Sequence, residues 1–303
     1  MTSPLIDFSN RITEAVEQSG KAIVAVNARQ RFPSSGIHWR PGIVVTADHG
    51  LKRDEEISVT LPGGSTRGAT LVGRDPSTDL AVLRIPNELP VADIGDSQSL
   101  RVGSLALAVA STDNGNSAVS MGVISALAGS WRTWRGGQVD QLIRLDLNLY
   151  SGFSGGALVS AEGQVLGMVT AGLSRSTAIA LPVATVNRVV DQLVQKGRIA
   201  RGYLGVGMQP VRLPESLKQS LNLNSDGGVI LVSLENDGPA ARSGAMIGDI
   251  VVAFDSETVG DTEDVLALLT PERIGMPIPV AIVRGGTAAI LTITIGERPR
   301  RER

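Results

Sequence analysis

The chain has 303 residues, 42% hydrophobic and 19% charged, which is enough for two compact domains of ordinary composition. A net charge of -2 and a pI near 5.8 exclude a general electrostatic footprint for nucleic acid or an anionic membrane, and the basic run Arg298, Arg300, Arg301 and Arg303 reads as a solvated terminus. The absence of cysteine excludes disulfide scaffolds, thiolate metal sites and cysteine nucleophiles.

In chain order, Ile12, Ala15 and Val16 recur at helical spacing, and the pattern predicts a helix from Asp7 to Ser19. No apolar core of signal-peptide type lies in this stretch, and no later window has the length of a membrane span. A cytoplasmic protein is therefore expected as the sequence stands, or a periplasmic or other envelope protein if the N-terminus was trimmed. From Ala22 to Leu181 eleven short β-branched runs alternate with Gly, Pro, Asn and Asp, which predicts a β-sandwich or barrel rather than βαβ units. His38 is read as part of a polar, aromatic-flanked turn within this region. Pro182 then opens a helix with the stripe Val183, Val186, Val190, Leu193 and Val194, stopped by Gly197. Beyond a short basic linker, residues 201–297 alternate five strands with the helical stretches Pro239–Ser243 and Thr262–Leu269, an α+β pattern of one small domain. Residues 298–303 form the basic tail.

Only His38 and His49 could act as a histidine general base, and His49 closes the apolar run Gly42-Ile-Val-Val-Thr-Ala-Asp-His49 where a loop can expose it. Asp79 stands at the mouth of an apolar strand in Asp75-Pro-Ser-Thr-Asp79-Leu-Ala-Val-Leu. Ser154 lies in the turn Ser151-Gly-Phe-Ser154-Gly-Gly, directly before another strand. Singly, these are an ordinary loop histidine, a turn acid and a hairpin serine. Together they supply a hydroxyl, an imidazole to accept its proton and an acid to fix the imidazole tautomer. The order His, Asp, Ser is that of the chymotrypsin arrangement. The glycines permit backbone amides to converge on an oxyanion, with Gly152 and Ser154 as the natural donors.

These motifs resemble those of the HtrA/Deg serine proteases. The resemblance rests on Ile43-Val-Val-Thr-Ala-Asp-His49, Asp75-Pro-Ser-Thr-Asp79-Leu-Ala-Val-Leu-Arg-Ile85 and Gly152-Phe-Ser-Gly-Gly156, with Gly95-Asp-Ser, Gly122-Val-Ile-Ser-Ala and Gly163-Gln-Val-Leu-Gly-Met beside them. Arg201-Gly-Tyr-Leu-Gly-Val206 and the run from Asn236 to Val251 are similar to the carboxylate loop and central signature of the PDZ domains in that family. The resemblance implies a mainly β fold, a chymotrypsin-like double β-barrel over residues 1–200 followed by an α+β PDZ domain. It implies an ATP-independent serine endopeptidase, without metal or cofactor, acting on unfolded or damaged proteins. The alternative is a catalytically degenerate peptide-binding or chaperone-like protein. By the same resemblance, Asn148, Leu149, Thr170, Ala171 and Gly172 wall an S1 pocket with no acid at its base, favouring small or medium aliphatic residues. Tyr203, Leu204, Gly205 and Val206 would bind peptide C-termini, with the helix near Val265–Leu269 as the opposite wall. A homotrimer or higher oligomer is implied, with Phe8 and Phe32 as candidate contacts.

The sequence departs from the family pattern in three places. Phe153 replaces an asparagine, Gly50 replaces a valine, and the Ala171–Ala178 loop is short. If Phe153 leaves the serine turn poorly formed, asparagine there raises activity. If the ring folds beneath the turn, asparagine lowers it.

Overall fold

A computed structural model describes all residues except 1–2, 30–31, 175, 222, 224, 226 and 300–303, so Arg300, Arg301 and Arg303 lie outside the described residues. Two compact units divide the chain, residues 1–199 and 200–303.

Helix α1 (Pro4–Gly20) opens the first unit. It starts three residues before the expected Asp7, because Pro4 sits in the first turn, where its missing N–H leaves nothing unpaired. Ala15 is buried, and Ile12 and Val16 pack beside it. The first barrel comprises β1 (Ile23–Asn27), β2 (Ser34–Arg40), β3 (Ile43–Ala47), β4 (Ile57–Thr60), β5 (Thr66–Asp75) and β6 (Leu80–Arg84), closed in the order β1-β2-β3-β6-β5-β4. Later in the same unit, β7 (Leu105–Ser111) and β8 (Ser117–Ala128) are followed by a ribbon of β9 (Trp131–Arg132) and β10 (Gln138–Val139). Then β11 (Leu142–Asp146), β12 (Ala157–Val159), β13 (Val165–Thr170) and β14 (Ala178–Pro182) complete a second closed barrel, ordered β11-β14-β13-β12-β7-β8.

Strand β2 corrects the reading of His38 as a turn residue. Six of its seven residues are buried, the polar ones included. Ser35 and His38 have found partners, which removes the penalty for burying them, whereas the buried Ser34 hydroxyl has none among the described residues. The Ser35 hydroxyl donates to the Gly152 carbonyl at 2.8 Å, and the Thr46 hydroxyl donates to the Ser35 carbonyl at 2.6 Å. His38 Nε2 accepts the Gly42 N–H at 3.0 Å, so its proton sits on Nδ1, 3.0 Å from the Pro90 carbonyl. That histidine is a structural one.

Each barrel holds its own aliphatic core, and a third cluster lies between the barrels. Helix α2 (Val183–Lys196) seals that cluster with Val186, Val189, Val190 and Leu193, ending at Gly197 in a left-handed conformation. Val189 takes the inward position expected of Val194, which is exposed.

In the unit of residues 200–303, β15 (Gly202–Tyr203) leads to β16 (Val206–Arg212), α3 (Glu215–Leu221), β17 (Gly227–Leu234), α4 (Pro239–Arg242), β18 (Ile250–Phe254) and β19 (Glu257–Thr258). Helix α5 (Thr262–Leu268) follows, then β20 (Pro277–Arg284), β21 (Thr287–Thr294) and β22 (Gly296–Glu297). The main sheet runs β16-β17-β18-β20-β21, with β19 on β18 and β15 paired to β22, so β16 is an edge strand. Asp261 and Asp264 form a capping box that fixes the start of α5.

Candidate active site

Strand register brings His49 and Asp79 together. β3 pairs with β6, and Ala47 faces Leu80, so the turn after β3 meets the residue before β6. The Asp48 N–H donates to the Asp79 carbonyl at 3.1 Å. Asp79 holds a left-handed backbone (φ 56), a conformation that non-glycine residues adopt at some cost. Its carboxylate is buried and well partnered. It accepts the His49 N–H at 2.9 Å, the imidazole Nδ1–H at 2.8 Å and the Thr170 hydroxyl. With its proton held on Nδ1, the His49 ring turns the Nε2 lone pair outward.

Arg74 braces the turn that carries His49. From β5 it pairs with the buried Asp48 carboxylate, donates to the Asp48 and Leu51 carbonyls at 3.0 and 3.2 Å, and meets Asp54 at 2.5 Å. Neither Arg74 nor the Thr170 hydroxyl was assigned this part from the sequence. Thr170 is fully buried with its hydroxyl on Asp79, which corrects the expectation of an S1 wall, and a hydroxyl ending an apolar strand is the one sequence signal for it.

The serine turn comes from the second barrel and is held by the first. Ser35 N–H donates to the Ser154 carbonyl at 3.1 Å, and the Ser35 hydroxyl holds the Gly152 carbonyl. Within the turn, the Phe153 N–H bonds the Tyr150 carbonyl at 3.1 Å, and the Gly156 N–H bonds the Phe153 carbonyl at 2.9 Å. Gly152 has φ 94, which a side chain would strain. Phe153 does not point outward. Its ring is 6% exposed, lies in the second-barrel core and meets Tyr150 edge-on with centroids 5.6 Å apart. Among the described residues, the Gly152 and Ser154 N–H groups donate to no protein acceptor.

Residues 170–172 touch all three side chains. Thr170 bonds Asp79, and the Ala171 N–H donates to Ser154 Oγ at 3.2 Å. At Gly172 a Cβ would stand 2.6 Å from His49 Nδ1 and clash with the Asp79 carboxylate, so only glycine fits this approach. Because Ser154 Oγ faces Ala171, no hydrogen bond joins it to His49 among the described residues. Of the other expected S1 residues, Asn148 is exposed and Leu149 is half-buried against the second-barrel core. An open pocket of about 470 Å³ beside Asn148 is lined also by Val119, Met121, Leu147 and Tyr150, and Asp146 adds a carboxylate not anticipated there.

In the other unit, the Leu204 and Gly205 N–H groups likewise donate to no protein acceptor among the described residues. Their carbonyls are tied back, to the Ala240 N–H at 2.9 Å and the Glu235 N–H at 2.8 Å. Val206 begins the edge strand β16, against which α5 packs. Burial, followed by a hydrogen bond to Glu235, pushes the Tyr203 hydroxyl up to about 12.

Two closed barrels with an imidazole–carboxylate pair facing a serine turn define the chymotrypsin-like class, here followed by a PDZ domain. The description "Trypsin-like peptidase domain" matches residues 34–168, and "PDZ domain" matches residues 202–295. The probable periplasmic serine endoprotease DegP-like of Brucella suis is 34% identical over 266 residues, which is 85% of this chain and 51% of that protein. Its counterpart in Halomonas elongata is 32% identical over 277 residues, covering 89% and 57%. The chain thus spans about half the length of the curated relatives it matches. Among solved structures, the HtrA-type protease AlgW with tripeptide is 30% identical with a TM-score of 0.72, covering 95% of this chain and 98% of that one. A serine endoprotease from Yersinia pestis gives 29% and 0.73, with 95% and 98% covered. The chain belongs to the HtrA/Deg family of serine proteases.

Proposed function

We propose that this chain is an ATP-independent serine endopeptidase that cleaves unfolded or damaged proteins, with Ser154, His49 and Asp79 as its triad. The observation that carries this reading is the pairing of His49 with buried Asp79, which holds the proton on Nδ1 and leaves the Nε2 lone pair beside a serine turn with two open amides. Rotation of Ser154 Oγ away from the Ala171 N–H brings it to Nε2, a tightening expected when substrate arrives. Oγ then attacks the scissile carbonyl as its proton passes to Nε2. The Gly152 and Ser154 amides hold the oxyanion, and His49 returns the proton to the leaving amine. Water repeats the sequence to release the acyl group. Asp79 keeps the imidazole tautomer and stabilises its charged form, and the Thr170 hydroxyl keeps Asp79 in place.

Asn148, Leu149 and residues 170–172 carry no charge, which supports a preference for small or medium aliphatic P1 side chains, while Asp146 on the pocket beside Asn148 is the carboxylate that would favour a basic side chain there instead. In the PDZ domain, the Leu204 and Gly205 amides, flanked by Tyr203 and Val206, are suited to a peptide carboxylate, and the peptide would extend β16 as a further strand. The names of the curated relatives favour a periplasmic or other envelope location over the cytoplasmic expectation. No helix among the described residues is long and apolar enough to cross a membrane. The binding-only alternative is not favoured. Casein hydrolysis tests the reading. Turnover by wild type that Ser154→Ala abolishes is the expected result, and equal behaviour of the two proteins would contradict it.

A further inference from the structure

The segment joining β1 to β2 carries a cation that the peptidase reading leaves without a part. Arg29 is half-buried and donates from Nε to the Gly50 carbonyl at 2.9 Å, one residue beyond His49. Gly50 leaves the room for this, since a Cβ there would stand 2.8 Å from Ser34 Oγ and 3.2 Å from Arg29 Nη2. The Nη groups meet no protein acceptor among the described residues, and they are not sealed from solvent. Buried Asp79 is within electrostatic range, but its oxygens already receive His49 and Thr170. Arg53 approaches the same segment at the Asn27 carbonyl, 3.4 Å away, but it faces Glu56 at 3.8 Å. Arg29 therefore offers a guanidinium with open donors next to the catalytic turn.

Its position indicates which half of a substrate it meets. Residues 170–172 border His49 and Ser154 on one side. Arg29, Pro33 and Ser35 border them on the other. Arg29 lies on Gly50, the Pro33 carbonyl lies 3.2 Å from where a Gly152 Cβ would stand, and Ser35 bonds Ser154. The acyl half of the substrate runs along residues 170–172, by the assignment above. The leaving half must depart past His49, which protonates its amine, and so it passes Arg29 and Pro33.

We propose that Arg29 is a specificity-determining residue that selects Asp or Glu at the first or second position on the leaving side of the scissile bond. The inference rests on the peptidase reading. A guanidinium forms charge-assisted bonds with a carboxylate and repels an ammonium at the same place.

The test uses the full chain and two internally quenched peptides, alike except for Asp or Lys at those two positions, with valine before the scissile bond. Wild type is expected to favour the Asp peptide in kcat/KM by roughly five-fold, as for a partly solvated ion pair. Arg29→Gln should bring the ratio close to one, and Arg29→Glu should favour Lys. Each ratio is measured on one enzyme sample, so it does not depend on how much of a variant has folded. Equal cleavage of the two peptides by wild type, or an unchanged ratio in both variants, overturns the proposal and leaves the peptidase reading standing. If neither peptide is cut in a Ser154-dependent way, the peptidase reading itself fails and the proposal with it.

Discussion

Phe153 stands where the resemblance to the family motif leads one to expect asparagine, and its ring lies beneath the serine turn instead of blocking it. The side chain fills the second-barrel core against Tyr150, and its backbone supplies two of the bonds that shape the turn. Phe153→Ala is expected to cost about 3–5 kcal/mol of stability, as for other buried aromatic truncations. Phe153→Asn would bury an amide where a ring had packed, and it should lower kcat several-fold with a smaller change in KM. A rise in kcat, measured alongside the melting temperature, would contradict a preformed turn. Asp79 offers a second test at this scale. Asparagine tolerates the left-handed backbone, so Asp79→Asn should fold. It should also lower kcat by about 10⁴, because an amide no longer holds the imidazole in the working tautomer. Circular dichroism and casein turnover on one preparation check both halves.

At the scale of elements, two charged pairs do separate work. Arg74 fixes the turn between β3 and the His49 ring through Asp48, Leu51 and Asp54. Arg74→Gln deprives a buried carboxylate of its guanidinium, which typically costs about 3–5 kcal/mol. It should reduce kcat more than KM. In the PDZ domain, Arg284 donates to both oxygens of Asp249 at 2.7 Å, and the Met246 N–H adds a third bond at 2.8 Å. The bond from Arg284 holds the Asp249 carboxyl below the usual carboxylate range, against the opposing effect of burial. A depressed folded pKa makes this contribution fully present above the ordinary value of about 3.9, and it is lost as pH falls through the lower folded value. Hydrogen exchange of β18 and β20 amides should accelerate over that acid range, and Asp249→Asn should flatten the dependence.

The same scale shows what the sequence could reveal. Strands such as β3 and β6 were legible because aliphatic runs end in turn residues. β2 was not, because Ser34, Ser35 and His38 look solvent-facing, and only folding shows all three buried, with partners for Ser35 and His38. Helix α3 is only seven residues long and packs on a small cluster around Leu213, so its periodicity is too short to detect. His49, Asp79 and Ser154 were found through motif and order. The Thr170–Asp79 bond spans 91 residues of chain and exists only through folding. The direction of Ser154 Oγ is likewise a rotamer choice that composition does not encode.

For the whole molecule, the first turns of α1 leave Leu5, Ile6 and Phe8 exposed, and Phe32 is exposed on the β1–β2 segment. Apolar groups collected at one helix end favour self-association. This agrees with the homotrimer or higher oligomer that the family resemblance implies, of which we propose the trimer. Light scattering should give about three times 31.6 kDa, and Phe8→Asp should reduce that mass. A wild-type mass of one chain would contradict the trimer while leaving the chemistry of the site untouched.

That chemistry is tested most directly by covalent labelling with a fluorophosphonate, followed by peptide mass mapping. The account predicts one adduct, on Ser154, lost in Ser154→Ala and strongly slowed in His49→Ala, which removes the base. Absence of an adduct on folded protein, or modification of another residue with Ser154 untouched, would contradict it.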